Sequence, residues 1–339
     1  TAGTGGFGIK ADSIASYSPY CQWVIAIFML IFGVNFNLYY LVLIRRAKAA
    51  IRSTDMTFSD GGDRILATVS QRYDGRLIKD FLKGYIGLSS TLLTKVKFGG
   101  VRVRGEAVTM RKVIHTGDEV EIRLPKEESE GIEPIEADLD VLYEDDHILV
   151  VNKPTNMPVH PSRGNHLVTL ANVVMAYLGE GVVFRAVNRL DRDTSGIVVI
   201  AKHQYAAGQL SENMKRGGFE KYYTAILECA PNEPCGVIDA PIEREAEDSI
   251  KRVVREDGKR AVTEYRIRDV LPDGRAICDI RLHTGRTHQI RVHMAHIGAP
   301  LYADFLYGKR IEGESYSLVS SRIVFEHPIT REKMDISIK

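Results

Sequence analysis

Arg189-Leu190-Asp191-Arg192-Asp193-Thr194-Ser195-Gly196 is followed directly by Ile197-Val198-Val199-Ile200-Ala201. The second segment is continuously apolar and mostly β-branched, which is typical of a strand buried on both faces. The first segment is therefore a loop leading into a core strand, with Asp191 between two arginines. Opposite charge from Arg189 and Arg192 favours the ionised form of Asp191, and such a carboxylate can act as a nucleophile or an anchor. An ordinary polar turn is the alternative interpretation.

A second polar segment, His283-Thr284-Gly285-Arg286-Thr287-His288-Gln289-Ile290-Arg291-Val292-His293-Met294, places two arginines, three histidines and a glutamine around one glycine turn. Together the two segments resemble the RluA-type RNA pseudouridine synthases, whose marks are His-Arg-Leu-Asp-Arg-x-Thr-Ser-Gly and, later, Gly-Arg-x-His-Gln-Ile-Arg. Further agreement comes from Val151-Asn152-Lys153-Pro154, Lys221-Tyr222-Tyr223 and Gly298-Ala299-Pro300-Leu301. The resemblance runs from about Met56 to the C-terminus in the family's order. Asn188 departs from it, because the family often carries histidine there, and this puts one local hydrogen bond in doubt.

The resemblance implies an enzyme that isomerises uridine in RNA to pseudouridine, with no metal and no cofactor. It assigns the nucleophile to Asp191, which attacks either the sugar C1′ or the uracil C6. The target uridine has to leave its base stack, and Arg189 is expected to fill the vacated space. Tyr223 is expected to lie on the flipped base and move a proton, because the family pattern is Lys-x-Tyr and Tyr222 faces the other way. Arg286 is expected to pair with Asp191.

Several other side chains near these motifs are candidates for RNA contact. His160 and Arg163 lie in a proline-rich loop and are expected to touch phosphate, with a plain surface loop as the equal alternative. The histidines from His283 to His296 match no zinc spacing and have no cysteine nearby, so RNA contact or turn structure explains them better than a metal. The candidates in the catalytic region are Arg189, Arg192, His160, Arg163, His288 and Arg291.

Composition sets broad limits on the class of protein. The chain has 339 residues, a net charge of +1 and four cysteines, none in a Cys-x-x-Cys pair. This length allows two or three domains with a substantial core. A net charge near zero does not exclude RNA binding, because one basic face suffices. The cysteine spacing indicates neither a zinc site nor a disulfide framework, and it fits the reducing cytoplasm.

Residues 1–55 follow a different pattern. Residues 22–44 carry no charge, and as a helix they would reach roughly 35 Å, enough to cross a hydrocarbon core of about 30 Å. Arg45 and Arg46 follow, which predicts a cytoplasmic end, and a glycine-rich opening suits a pore loop. The segment resembles one pore-loop-plus-helix piece of the TrkH/KtrB-type potassium transporter subunits. Because one piece cannot conduct, we expect a fragment joined upstream of an enzyme starting near Met56, with membrane contact only through that fragment.

Residues 73–124 are predicted to form a small basic module. Helical spacing of apolar residues predicts one helix near Leu77 to Tyr85 and a second one capped by Ser89 or Ser90, and alternation predicts strands at 101–104 and 119–124. The arrangement resembles the S4-type RNA-binding domain that precedes the catalytic domain in many RluA-type enzymes. A merely solvated face is the alternative. The residues expected to follow the phosphate backbone include Lys79, Lys83, Lys95 and Arg102.

The acidic segment 125–136, with its proline, predicts a linker, so the catalytic domain is expected at 137–339. There the sequence predicts a strand at 147–152, a helix with Leu170 and Val174 on one face, and a second helix around Leu210. Alternation at 261–268 and 275–282 is typical of antiparallel strands. The expected fold class is α+β, with a mixed, largely antiparallel sheet, which the resemblance also implies.

Three functions are compatible with parts of this chain. The S4-like module and the catalytic domain together suggest a monomeric enzyme acting on large-subunit ribosomal RNA, with transfer RNA as the alternative substrate. A non-catalytic RNA-binding protein would share the module but would not need Asp191, Tyr223 and Arg286 together. A membrane transport component would explain residues 1–55 and nothing after them.

Overall fold

The computed structural model describes residues 56–59, 62–127, 131–161, 168–179 and 182–338. The chain divides into two compact units, residues 1–57 and 58–339. The transporter-like fragment at residues 1–55, with its apolar segment 22–44, lies outside the described residues, and so does Arg163. Within the described ranges, each helix is too short or too polar to cross a membrane.

A small module of short strands and helices comes first. Its elements are β1 (Met56–Ser59), β2 (Arg64–Thr68), β3 (Arg76–Leu77), α1 (Ile78–Phe81), α2 (Ser90–Val96), β4 (Val101–Val103), β5 (Glu106–Ala107), β6 (Val113–Ile114) and β7 (Glu119–Arg123). One sheet has the order β1-β2-β7-β4-β5, and β3 pairs with β6. Ser89 caps α2, because its side chain accepts a hydrogen bond from Leu92 N at 3.2 Å. The predicted helix start is confirmed.

The rest of the chain builds one large sheet with helices against it. Its elements are β8 (Asp140–Glu144), β9 (Ile148–Lys153), α3 (Leu170–Leu178), β10 (Ser195–Ala201), α4 (Gln204–Lys215), β11 (Glu220–Leu227), β12 (Cys235–Asp239), β13 (Ile242–Arg244), β14 (Arg252–Val254), β15 (Val262–Val270), β16 (Ala276–Leu282), α5 (Gln289–His296), β17 (Leu318–Glu326) and β18 (Lys333–Ser337). The sheet order is β12-β15-β16-β11-β17-β10-β9-β8, with β18 paired to β17, and β13 pairs with β14 separately.

Strand β10 lies in the interior of this sheet, as its apolar sequence predicts. Val198 and Ile200 pack into the core on one face, whereas Ile197, Val199 and Ala201 pack into the core on the other. All five side chains are fully buried. Strand β10 runs parallel to β17 and antiparallel to β9, and the other pairings in the sheet are antiparallel. The prediction of a mixed, largely antiparallel sheet is confirmed.

The loop before β10 is fixed at both ends by backbone contacts. Gly196 has φ +109°, and a Cβ there would lie 2.4 Å from Ser320 O on β17, so only glycine fits this approach. Asn188 Nδ2 donates to Ile197 O at 3.0 Å, and its Oδ1 accepts from Val199 N at 2.9 Å. Asparagine therefore satisfies the edge of β10 at the position where the family often has histidine.

Helix α4 joins the small module to the large sheet. Tyr205 Oη donates to Ile86 O at 2.5 Å, and Gln209 Nε2 donates to Gly87 O at 2.6 Å. Both acceptors lie between α1 and α2 of the module, at the end of the π-helical stretch Leu82–Ile86 that continues α1. Because Tyr205 is almost fully buried, this contact belongs to the packed interior and not to a loose surface.

The segment predicted as a linker is tied down where it begins. Gln204 Nε2, on α4, donates to Pro125 O at 2.7 Å. Glu127 pairs with Lys95 of α2 at 2.6 Å and with Arg185 at 2.6 Å. Residues 125–127 thus contact both the module and the large sheet, and residues 128–130 lie outside the described residues.

Candidate active site

A cleft of about 990 Å³ opens where the Asp191 loop, β11 and the turn before α5 meet. Ligand sites for small molecules span about 300–1,000 Å³, so this cleft can hold one nucleotide together with part of its neighbours. Its walls include Asp191, Tyr223, Lys221, Arg286 and Arg291. Three separate sequence motifs therefore converge on one concave surface.

A buried lysine clamps the Asp191 loop to the proline-containing segment after β9. Lys153 Nζ donates to Arg192 O at 3.0 Å, to Met157 O at 2.7 Å and to Pro154 O at 2.8 Å. The side chain is fully buried, and burial lowers its pKa to about 8 while Asp193 and Asp191 act in the opposite direction. Three donors on one ammonium thus fix the backbone next to Asp191.

Arg189 and Arg192 flank Asp191 in the sequence, but neither forms an ion pair with it in the described ranges. Arg192 pairs with Asp193, with Nε–Oδ1 at 2.8 Å and Nη2–Oδ2 at 3.0 Å, and its side chain is exposed. Arg189 is also exposed and lies in the cleft wall. Arg192 therefore makes its ion pair with Asp193 and not with Asp191.

Tyr223 and its neighbour Tyr222 lie on opposite faces of β11. Tyr223 is buried and lines the cleft, and its pKa is raised first by burial and then by the charge of Asp191. It is therefore a neutral phenol at neutral pH. The ring of Tyr222 instead lies under Arg281 and Arg322, whose guanidinium carbons are 5.6 and 5.2 Å from its centroid.

Arg291 is, like Lys153, a buried cation whose pKa responds to the charge of Asp191. Its Nε and Nη2 bind Asp304 at 2.7 and 2.6 Å, and both side chains are almost completely buried. The Tyr316 ring centroid lies 4.4 Å from the guanidinium carbon. Burial alone would lower the pKa of Arg291, but hydrogen bonding to Asp304 and the charges of Asp304 and Asp191 raise it. Arg291, predicted as an RNA-binding residue, is almost completely buried and lines the cleft together with Asp191.

Arg286 does not pair with Asp191, contrary to the sequence-based expectation. Its Nε donates to Arg260 O at 3.0 Å, and no ion pair joins it to Asp191 in the part of the chain that the structure describes. The reason is the turn before α5, where Gln289 Oε1 accepts from Arg286 N at 3.0 Å and from Thr284 Oγ1 at 2.8 Å. This turn leaves Arg286 exposed in the cleft wall.

Two histidines in the cleft wall are held neutral. His288 has φ 57°, and its Nδ1 lies 2.8 Å from Tyr307 Oη. The ring of His160 packs edge-on against Phe184 at a centroid distance of 5.0 Å. Burial is the main cause that lowers the pKa of both, and Arg189 lowers that of His160 further. The lowered pKa favours the neutral imidazole in each case, which can donate or accept a hydrogen bond.

The basic residues of the small module divide into free and engaged side chains. Lys79 and Lys83 are exposed. Lys95 is not free, because it pairs with Glu127 and donates to Gln204 Oε1 at 3.1 Å, so it joins the module to α4. Arg102 Nη1 donates to Gly105 O at 3.2 Å.

Nowhere in the described ranges do three His, Cys, Asp or Glu side chains form a group that could hold a metal ion.

One cleft beside a mixed sheet thus brings together a carboxylate, a buried tyrosine and a buried arginine. A family model described as RNA pseudouridylate synthase matches residues 147–296. The chain is 40% identical over 258 residues to "Uncharacterized RNA pseudouridine synthase YjbO" of Bacillus subtilis (strain 168), covering 74% of this chain and 91% of that relative. It therefore belongs to the RNA pseudouridylate synthase family and is an isomerase.

Two further comparisons agree with this assignment. The chain is 36% identical over 270 residues to "Ribosomal large subunit pseudouridine synthase D" of Xanthomonas campestris pv. campestris, covering 73% of this chain and 80% of that relative. Its fold is similar to the solved structure of "Human RNA Pseudouridylate Synthase Domain Containing 1", with a TM-score of 0.51 and 23% identity, covering 63% of this chain and 86% of the other. At that identity the likeness concerns the fold alone.

Proposed function

We propose that this pseudouridine synthase modifies a uridine of large-subunit ribosomal RNA, with Asp191 as nucleophile and Tyr223 as proton carrier. One observation carries the catalytic roles. Asp191 lies in the cleft with Tyr223 and Arg291, and its carboxylate makes no ion pair or hydrogen bond with any side chain that the structure describes. The charge of Asp191 raises the pKa of Tyr223 and of Arg291. Because no described side chain binds its oxygens, the carboxylate is available as a nucleophile toward the bound uridine.

In the proposed reaction, one oxygen of Asp191 bonds to C1′ of the ribose as the C1′–N1 bond breaks and its electrons stay on uracil. The uracil turns, C5 bonds to C1′ as the Asp191 oxygen leaves, the proton on C5 is removed, and N1 takes up a proton. Attack at uracil C6 is the alternative first step, in which the C5–C6 double bond opens before the base turns. Both routes yield an isomer of uridine, because one proton is lost from C5 and one is gained at N1, and neither route needs an oxidant.

Three neighbouring residues can support these steps, by stabilising the leaving carboxylate, by moving the C5 proton and by filling the space that the base leaves. Arg291 can stabilise the carboxylate when it leaves the sugar, since its guanidinium is fixed by Asp304 before substrate arrives. The neutral phenol of Tyr223 can take the C5 proton only while it passes its own proton on, because its pKa is raised. Arg189, exposed at the cleft, is the residue proposed to fill the space left by the flipped base.

Two features support ribosomal RNA over transfer RNA. Residues 73–124 resemble an S4-type RNA-binding domain, and their lysines Lys79 and Lys83 are exposed. One relative of this chain is named a ribosomal large subunit pseudouridine synthase. We propose further that the enzyme is a cytoplasmic monomer, that it comprises an RNA-docking module at 73–124 and a catalytic domain at 137–339, and that residues 1–55 are foreign to it.

Mapping pseudouridines in RNA from cells with and without this protein tests the substrate. A single uridine in large-subunit ribosomal RNA should lose its modification when the protein is absent, and the purified enzyme should restore it on an unmodified transcript. Loss confined to transfer RNA would replace the ribosomal proposal. A reaction that is equally fast without residues 73–124, with unchanged RNA affinity, would remove the docking role of the module.

A further inference from the structure

The cleft holds a second pair of charged side chains, Lys221 and Arg286, away from the carboxylate. Both line its wall, and neither makes an ion pair with a carboxylate in the ranges that the structure describes. Of the other cations that line the cleft, Arg291 pairs with Asp304 and Lys215 pairs with Glu212. Arg189 lines the cleft as well and makes no ion pair in those ranges. Two neighbouring cations without an anion form a site that lacks its counter-charge.

The local backbone brings these two cations together. A Cβ on Gly285 would lie 3.1 Å from Lys221 Nζ, so the ammonium group rests against the turn that carries Arg286. That turn is held by Gln289, whose Nε2 also donates to Val262 O and to Thr263 Oγ1, both at 3.0 Å. The position of the two cations is therefore set before any ligand binds.

The pKa of Lys221 responds to Arg286 and not to the catalytic carboxylate. The pKa of Lys221 is lowered, first by burial and then by the positive charge of Arg286. Asp191 acts instead on Tyr223 and Arg291. An anion bound between Lys221 and Arg286 would relieve both the burial and the repulsion, because each acts against the charged ammonium.

We propose that Lys221 and Arg286 bind a backbone phosphate next to the target uridine. This inference rests on the proposed function, since the base that Tyr223 contacts must bring its sugar and phosphates with it. Lys221 is two residues from Tyr223 on one face of β11, about 7 Å along the strand, and both side chains line the cleft. Arg supplies a planar fork for phosphate, and Lys supplies a point charge.

The test separates phosphate binding from support of Asp191. Lys221→Met and Arg286→Met are compared with the parent on a synthetic RNA covering the mapped uridine, over a range of potassium chloride concentrations. Each variant should raise KM about tenfold with kcat at saturation nearly unchanged, and should reduce the slope of log affinity against log salt by about 0.7 to 1 unit. Lys221→Arg should keep the slope of the parent. Lys333→Met, at an exposed position on β18, controls for loss of one charge and should change neither quantity.

A second arm identifies the phosphate. Each phosphate flanking the target is replaced in turn by an uncharged methylphosphonate. At one position the parent should lose affinity, and Lys221→Met should lose nothing more there. Unchanged salt slopes, a fall in kcat with constant KM, or equal losses for parent and variants at every position would each overturn the phosphate site. An RNA that the parent binds but does not convert would count against the substrate proposal, whereas the salt slopes would still decide the phosphate site.

Discussion

Asp304→Asn changes one atom in the pair that fixes Arg291 beside the catalytic carboxylate. The pair is bidentate, with both distances below 2.8 Å and both side chains almost completely buried. Oδ1 of Asp304 also accepts from Leu306 N at 3.0 Å and from Tyr307 N at 3.2 Å. The amide keeps one acceptor, but it aims an N–H at a guanidinium N–H and leaves a buried charge without its counter-ion.

Breaking a buried ion pair from one side costs about 3–5 kcal/mol in the free energy of unfolding. At about 2–4 °C per kcal/mol for a domain of this size, that corresponds to a fall in Tm of roughly 6 to 20 °C. Activity measured well below the new Tm should also fall, because Arg291 is no longer held next to Asp191. Thermal unfolding followed by circular dichroism gives the first quantity, and single-turnover conversion of RNA gives the second.

The chain offers a matched control on its surface. Arg322 and Asp335 form the same bidentate geometry at 2.7 and 2.5 Å, but their side chains are 45% and 44% exposed. Asp335→Asn should cost less than about 1 kcal/mol, because water replaces the lost partner. If Asp304→Asn and Asp335→Asn lower Tm equally, burial is not what makes the Arg291 pair important, and the reasoning fails.

Four further outcomes follow from the same structure. Asp191→Asn should bind RNA normally and yield no pseudouridine in a single-turnover assay, and turnover near the parent level would contradict the nucleophile assignment. Tyr223→Phe should lower product formation by about 10²–10⁴-fold with RNA affinity kept, whereas Tyr222→Phe should not. Lys153→Met should slow single-turnover conversion while RNA affinity is maintained, since its three carbonyl acceptors lose their donor; an unchanged rate would show that the loop holds itself. His203, whose Nδ1 caps α4 by accepting from Ala206 N, has a pKa lowered to about 3 chiefly by burial, so its folded form binds fewer protons than the unfolded chain. Stability should therefore decline as pH falls below 6.5, by about 2 kcal/mol from this residue at pH 5, and His203→Asn should flatten that part of the unfolding curve.

The fold was predictable where one physical signal dominates. The apolar run 197–201 has a single explanation, burial on both faces, and the structure buries every one of those side chains. Alternation at 276–282 likewise places Cys278 and Ile280 inside. Helix α5 was not predicted, because Ile290, Val292 and Met294 alternate with polar residues and so follow the period of a strand instead of that of a helix. The polar residues between them, Gln289, Arg291 and His293, are buried as well.

The sequence motifs predicted which residues meet at the candidate site, but they did not predict which arginine forms an ion pair with which carboxylate. Asp191, Tyr223 and Arg286 do line one cleft. Which cation meets which carboxylate depends on the turn held by Gln289 and on Asp304, which is far along the chain from Asp191. Asp304 gave no signal of its own beyond the aromatic residues around it, so neither it nor the clamp formed by Lys153 could be inferred from spacing.

Burial explains why the two arginines of one motif have different tasks. Arg291 is 3% exposed, and Asp304 takes the N–H of Nε and one N–H of Nη2, so the buried ion pair fixes the orientation of the guanidinium. Arg286 is exposed and is tethered to the protein through Nε alone, so its two terminal nitrogens are available at the cleft. An interior cation can affect the charge of the nucleophile at every stage of the reaction, whereas a cation at the wall can affect only how the RNA is held. Substitutions of Arg291 should therefore appear in kcat, and substitutions of Arg286 in KM, even though the two residues lie within one helical turn and its preceding loop.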